Sequence, residues 1–381
     1  MEGVTGRTRH TASRYFSRVA ALGTLAAAVA LACASNLAQA DQPSVNVYNW
    51  GNSIGKATVA NFEKATGVKV VYQEFDSNET LQAKLLSGSA GYDVVVPSDA
   101  FWAKQLQAGI YQPLDKSKLP NYSLLDPKLM ALLQADDPGN RYGIPWTWGT
   151  DGLGINVERV QAALGKDVKL DSLDLLFDPK NAEKLKSCGI SMIDSPRDVF
   201  GTVLLYMKRN PNTTNPQDYQ DALALLKTIR PYVAQFSTGS YIGDLAGGDI
   251  CIALGWSGDV NTARRAALDG HRSFHIRYIL PKEGSPIWFD VMAVPKDAPH
   301  PEVALKWINF AISTEESANL TNDTSYPSAV PGASKLLAAD VLADPAVFPQ
   351  PDQFKKLFTV KPVPAEVTRL VTRLWQQYKA N

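Results

Sequence analysis

The feature that most constrains this chain is the regular alternation of short apolar runs with stretches of helical periodicity. Val45-Asn46-Val47-Tyr48-Asn49-Trp50 alternates as a strand does and stops at the turn Gly51-Asn52-Ser53. Residues 56–66 carry Val59, Ala60 and Phe62 at helical spacing, and Gly67 ends the run. Val68-Lys69-Val70-Val71-Tyr72 reads as the next strand, and Ser77 caps a helix that ends near Leu86. Tyr92-Asp93-Val94-Val95-Val96 then runs through Pro97-Ser98 into a further helix. Strands and helices joined by short connections predict an α/β fold with a largely parallel sheet. In such sheets ligands sit beyond the carboxyl ends of the strands, which puts Trp50 to Ser53 and Ser98-Asp99 at one edge.

At 381 residues the chain exceeds what one hydrophobic core supports, so two lobes are expected. Composition shifts at Tyr142-Gly143-Ile144-Pro145-Trp146-Thr147-Trp148, which reads as an extended crossing into a second lobe. Ile279-Leu280-Pro281 to Trp288-Phe289-Asp290-Val291 reads as the return. The expected division is 41–148 with 287–381 as the first lobe and 149–286 as the second. Two crossing strands make a hinge about which the lobes close on a ligand. Residues 301–312 and 365–378 are predicted helices.

The first forty residues read as an export signal. Arg7, Arg9, Arg14 and Arg18 precede an apolar run over 19–34, and Ala38-Gln39-Ala40 fits a small-x-small cleavage pattern. The run is too short for a membrane span. Lipid attachment at Cys33 is the competing reading, although Ala30 stands where such sites favour Leu. Lys and Arg balance Asp and Glu over the full chain, and without the signal the balance becomes slightly acidic. With no Lys/Arg cluster, nucleic-acid binding is not supported. The expectation is a periplasmic protein, and nothing reads as a large apolar patch, so a monomer. Cleavage at Ala40 leaves Cys188 and Cys251, and an oxidising compartment favours a disulfide over two separate thiols.

Chemistry-bearing residues concentrate at three places. Asp194-Ser195-Pro196-Arg197-Asp198 follows a strand over 189–193, and Gly255-Trp256-Ser257-Gly258-Asp259 follows another over 250–254. Trp288-Phe289-Asp290 lies on the return crossing. An isolated Asp after a strand is commonly a helix cap or turn residue, and an isolated Trp is commonly core. Placed together at strand ends, they make carboxylates with aromatic walls, which suit an aliphatic cation. Nothing points to an enzyme. No Gly-x-Ser-x-Gly, His-Glu-x-x-His, Walker or dinucleotide motif occurs, and no cofactor or metal is expected. His271 and His275 are four apart, but Phe274, Ile276, Tyr278 and Leu280 alternate as a strand, on which two imidazoles share no helical face.

Several runs resemble the putrescine/spermidine periplasmic binding proteins of ABC transporters over nearly the whole chain after the signal. They include Val47-Tyr48-Asn49-Trp50, Phe75-Asp76-Ser77-Asn78-Glu79, Val94-Val95-Val96-Pro97-Ser98, Lys184-Leu185-Lys186-Ser187-Cys188-Gly189 and Gly248-Asp249-Ile250-Cys251. The resemblance implies a bilobal type II-like fold, a Cys188–Cys251 disulfide, a polyamine ligand and a membrane permease as partner. A related amine such as agmatine or an ω-amino acid, or a sensor role, are the alternatives. It implies Trp50 as an aromatic wall, Ser98 as a hydroxyl partner and Asp198 as a cleft carboxylate. It further implies Trp256 with Asp259 on the second lobe, Trp288 with Asp290 at the crossing, and Tyr326 as an aromatic lid. One departure stands out. Where the family reads Trp-small-acid-Tyr, this chain has Trp50-Gly51-Asn52-Ser53, so that Asn52 and Ser53 replace a carboxylate and an aromatic lid. Arg197 and Gly239 also depart, standing where relatives often carry an acid and a serine. These changes remove negative charge and bulk from one end of the cleft.

Overall fold

The computed structural model describes residues 43–380 apart from Asn52. The export signal, its cleavage site and Cys33 therefore lie outside the described residues, as does Asn52. β1 (Ser44–Trp50) and β2 (Lys69–Phe75) pair in parallel along their whole length, and β1 pairs in parallel with β3 (Val94–Val95). The helix Thr58–Thr66 ends at Gly67 with φ 70°, a left-handed position that glycine takes without steric cost. The helix Asn78–Leu86 starts at Ser77, whose hydroxyl accepts from the Thr80 N–H.

Two long strands connect the halves. β4 (Gly143–Asn156) is buried at every residue, and β9 (Ser285–Ala293) runs antiparallel to its first half. The second half of β4 pairs antiparallel with β7 (Ile252–Trp256) and β8 (Ile276–Ile279). β5 (Ile190–Met192) and β6 (Gln235–Phe236) continue outward from β7 in parallel, and β10 (Leu357–Thr359) adds in parallel to β9. The sheet is thus mixed where a largely parallel one is predicted. Each half keeps parallel strands, and the crossing strands, which must traverse and return, run against them.

Buried apolar side chains form two separate clusters. One gathers around Val45, Val94, Trp102, Ile144, Val291 and Trp307. The other gathers around Leu153, Phe200, Tyr219, Leu226, Leu254 and Trp375. The helix Ala365–Ala380 buries Val367, Val371, Leu374, Trp375 and Tyr378 in the second cluster, although the chain between β9 and Val330 belongs with the first. Lys379 Nζ and Trp375 Nε1 both bond the Asp194 carboxylate, at 2.8 and 2.6 Å, and fix that helix in place. Among the described residues, no helix is long and apolar enough to cross a membrane.

Cys188 and Cys251 are disulfide-bonded, with Cα atoms 5.4 Å apart, and close a loop that spans 63 positions of sequence within the second cluster. By loop-closure entropy such a link contributes about 2–4 kcal/mol. Replacing both cysteines by serine is expected to lower unfolding free energy by about that amount, with the m-value also changed because the unfolded chain expands. Urea unfolding of both forms checks this; coincident curves would show that the bond constrains nothing.

Candidate functional site

The ends of β1, β3, β5 and β7 and the middle of β9 converge on a cleft of about 330 Å³. The structure places Trp50, Ser53, Ser98, Asp198 and Trp256 along it, and likewise Asp259, Trp288, Asp290 and Tyr326. Asn52 falls between two of these residues in sequence but outside the described residues.

Three helices begin at the cleft with an acid in the first turn: Asp99 of Asp99–Gln107, Asp198 of Pro196–Tyr206 and Asp259 of Ser257–Asp269. A helix N-terminus favours negative charge, which explains acids at these positions locally. Their side chains do more than cap. Asp259 accepts from the hydroxyls of Tyr241 (2.9 Å) and Tyr326 (2.7 Å), and Asp198 faces the Trp256 indole N–H at 3.4 Å. Ser98 stands at the N-cap of its helix, yet its hydroxyl leaves the helix and donates to Asp290 Oδ1 at 2.8 Å. Thr147 on β4 donates to the other oxygen at 3.1 Å. A carboxylate with a donor on each oxygen is held in one orientation.

Burial dominates the electrostatics. It raises Asp290 to about 7 against the Ser98 and Thr147 hydrogen bonds; the nearby Trp50 indole N–H also opposes the rise without meeting hydrogen-bond geometry. Asp259 rises to about 6 by burial despite its two tyrosine hydroxyls. Asp99 and Asp198 are also raised, first by burial; Asp290 and Asp198 repel Asp99, and Glu79 repels Asp198. A group of buried carboxyls that resist ionisation is what a cationic ligand would relieve.

Aromatic rings form the walls. Trp50 packs on Phe75 at 4.6 Å between centroids, and Trp288 meets Tyr326 edge-on at 5.3 Å. Two glycines make room for them. A Cβ at Gly149 would lie 2.4 Å from the Trp288 ring, and one at Gly258 would lie 2.6 Å from the Tyr326 ring. The Ser53 carbonyl accepts from Trp146 Nε1 (2.9 Å) and Asn49 Nδ2 (3.1 Å), which anchors the turn after β1. At one side of the cleft lie Lys104, Arg197 and Lys361. Arg197 is held there by Tyr219 Oη and the Lys361 carbonyl, and burial, then Arg197, lowers Lys104.

Thr147 and Tyr241 join the site without being singled out from sequence, and Asp99, expected at the sheet edge, joins it without having been named a ligand contact. Asp99 had a signal, since it follows Ser98 at a strand end; Thr147 and Tyr241 had none, because their partners lie 143 and 18 residues away. The histidine pair does not form a site. His271 sits in a turn with φ 50°, and His275 lies before β8, paired with Glu158 at 2.6 Å. Among the described residues, no cluster of His, Cys, Asp or Glu is placed to hold a metal.

Two α/β halves joined by crossing strands, with a carboxylate-lined aromatic cleft where they meet, define a bilobal solute-binding protein. The chain belongs to the bacterial extracellular solute-binding protein family, whose pattern matches residues 57–349. It is 44% identical over 359 residues to the putrescine-binding periplasmic protein SpuD of Pseudomonas aeruginosa, covering 94% of this chain and 98% of that one. It is 43% identical over 361 residues to the putrescine-binding periplasmic protein PotF of Escherichia coli, again covering 94% and 98%. The spermidine/putrescine ABC transporter substrate-binding protein PotD of Streptococcus pneumoniae superposes with a TM-score of 0.74 at 26% identity, covering 89% of this chain and 99% of that one.

Proposed function

We propose that this chain is a periplasmic solute-binding protein that captures a polyamine of the putrescine or spermidine class between its lobes and delivers it to an ABC importer. The observation that carries the reading is the cleft itself: Asp290 and Asp259 each sit in a two-donor cradle, with indole walls between. A protonated diamine offers each carboxylate an ammonium, and the indole faces cover its methylenes. An ammonium over such a face gains roughly 0.5–2 kcal/mol. The names of the relatives support the ligand class, the compartment and the membrane partner.

Trp50, Ser98, Asp198, Trp256, Asp259, Trp288, Asp290 and Tyr326 are the proposed ligand contacts, with Asn52 and Ser53 setting preference at one end. The lobe division we propose follows the two cores, with β4 and β9 as the hinge and the helix Ala365–Ala380 moving with the second lobe. A second reading, an amine with a carboxylate tail, is favoured by one observation: Lys104, Arg197 and Lys361 flank the cleft.

Calorimetric titration with putrescine, cadaverine, spermidine, spermine, agmatine and 4-aminobutyrate separates the two. The expected result is a polyamine bound with Kd below about 10 μM. Binding of 4-aminobutyrate alone would reassign the ligand, and silence from every amine would sink both readings.

A further inference from the structure

One buried acid takes no part in the networks above. Asp151, in the middle of β4, is 1% exposed, and neither carboxyl oxygen has a hydrogen-bond partner. The Trp288 indole N–H is likewise buried and unpartnered. Unmade hydrogen bonds in a buried setting are uncommon and call for an explanation.

Strand geometry says which way Asp151 faces. Side chains alternate along a strand, so Thr147, Gly149 and Asp151 share one face of β4. Thr147 reaches Asp290 on that face, and the Trp288 ring lies where a Gly149 Cβ would be. Opposite residues of paired strands also share a face. Asp151 is opposite Trp256, and Gly149 is opposite Trp288. The carboxyl therefore lies beneath the cleft floor, between the two tryptophans and close to the Trp288 N–H.

We propose that Asp151 is a specificity-determining residue: it acts through Trp288 to favour ligands that place a cation against the Trp256–Trp288 wall. The inference rests on the amine-binding reading. Around Asp151 stand the acids Asp198 and Asp99, the Trp288 N–H, and the hydroxyls of Tyr241 and Tyr278, which are engaged elsewhere. Burial first, then repulsion from Asp198 and Asp99, pushes the Asp151 carboxyl well above the usual carboxylate range in the empty cleft, against the opposing pull of the Trp288 N–H. An ammonium arriving at the wall reverses that balance. The proton leaves to solvent, the carboxylate accepts the Trp288 N–H, and the indole face becomes richer in electrons and fixed in orientation. A ligand whose end at that wall is neutral gives no such reversal.

The test uses the wild type, Asp151→Asn and Asp151→Thr. Each is titrated calorimetrically with putrescine and with 4-amino-1-butanol, in two buffers of different ionisation enthalpy, so that released protons are counted. Both variants are expected to lose about tenfold in putrescine affinity, with a change under about twofold for the amino alcohol, and to release fewer protons on binding putrescine. Equal losses for the two ligands, or unchanged putrescine affinity with an unchanged proton count, would overturn the role of Asp151 alone. A wild type that binds no amine overturns the amine reading and this inference with it.

Discussion

Asp290→Asn is expected to weaken putrescine binding by about a hundredfold or more while leaving the empty protein folded. Truncating one partner of a buried, hydrogen-bonded charge pair costs about 2–5 kcal/mol, much of it from the ammonium left without its counter-charge. The cradle is nevertheless kept. The amide oxygen of asparagine still accepts from one of the two hydroxyls, Ser98 or Thr147, that orient the native carboxyl. With its pKa pushed up to about 7 by burial, Asp290 in the empty protein is about half protonated at neutral pH, so a neutral isostere resembles one of its two resting forms. Calorimetry alongside thermal melting reads both halves. Undiminished affinity would move the ammonium away from Asp290, and a collapsed melting temperature would make the residue structural.

The second large effect is that the empty protein should lose stability as pH rises while its affinity for a dication increases. Asp290 and Asp259 stand at about 7 and about 6 in the folded chain, against an ordinary 3.8. Folded pKa values above the unfolded ones mean that the folded state binds more protons in between. Stability of the empty protein is therefore highest at low pH from these groups and falls from about pH 4 to about pH 7, by on the order of 6 kcal/mol. A dication offsets this loss, because it binds the ionised carboxylates, and its affinity should rise over about pH 5 to 7 by tenfold or more. Melting curves with and without saturating putrescine at acid and neutral pH read this directly. A ligand-induced shift that stays constant across that range would show that the two acids do not titrate on binding.

How far the sequence disclosed this arrangement depends on how local each signal is. The strands at Val45 and Val94, the Ser77 cap and the Gly67 stop are decided by residues a few positions apart, and they are where periodicity and capping put them. Cys188 and Cys251, the two cysteines beyond the expected export signal, admit one pairing, and it forms. The acids after β5 and β7 were visible as turn residues, but their carboxyls meet Tyr241, Tyr326 and Trp256 through tertiary packing that no spacing encodes. The antiparallel crossing was hidden for the same reason, since direction is settled by partners more than a hundred residues away. Asp151 did carry a signal. A lone acid inside an apolar run that becomes a wholly buried strand breaks the pattern of its surroundings, and such breaks tend to fall at functional positions.

The helix Ala365–Ala380 also governs the order of assembly. The second core needs Leu153 near its start and Tyr378 almost at the end of the chain. That half cannot close its core until the strand segment from Leu153 and the helix carrying Trp375 and Tyr378 are both in place. Contacts so distant in sequence are closed slowly. Loosening that helix therefore opens the second core while the first, built without it, keeps its own packing.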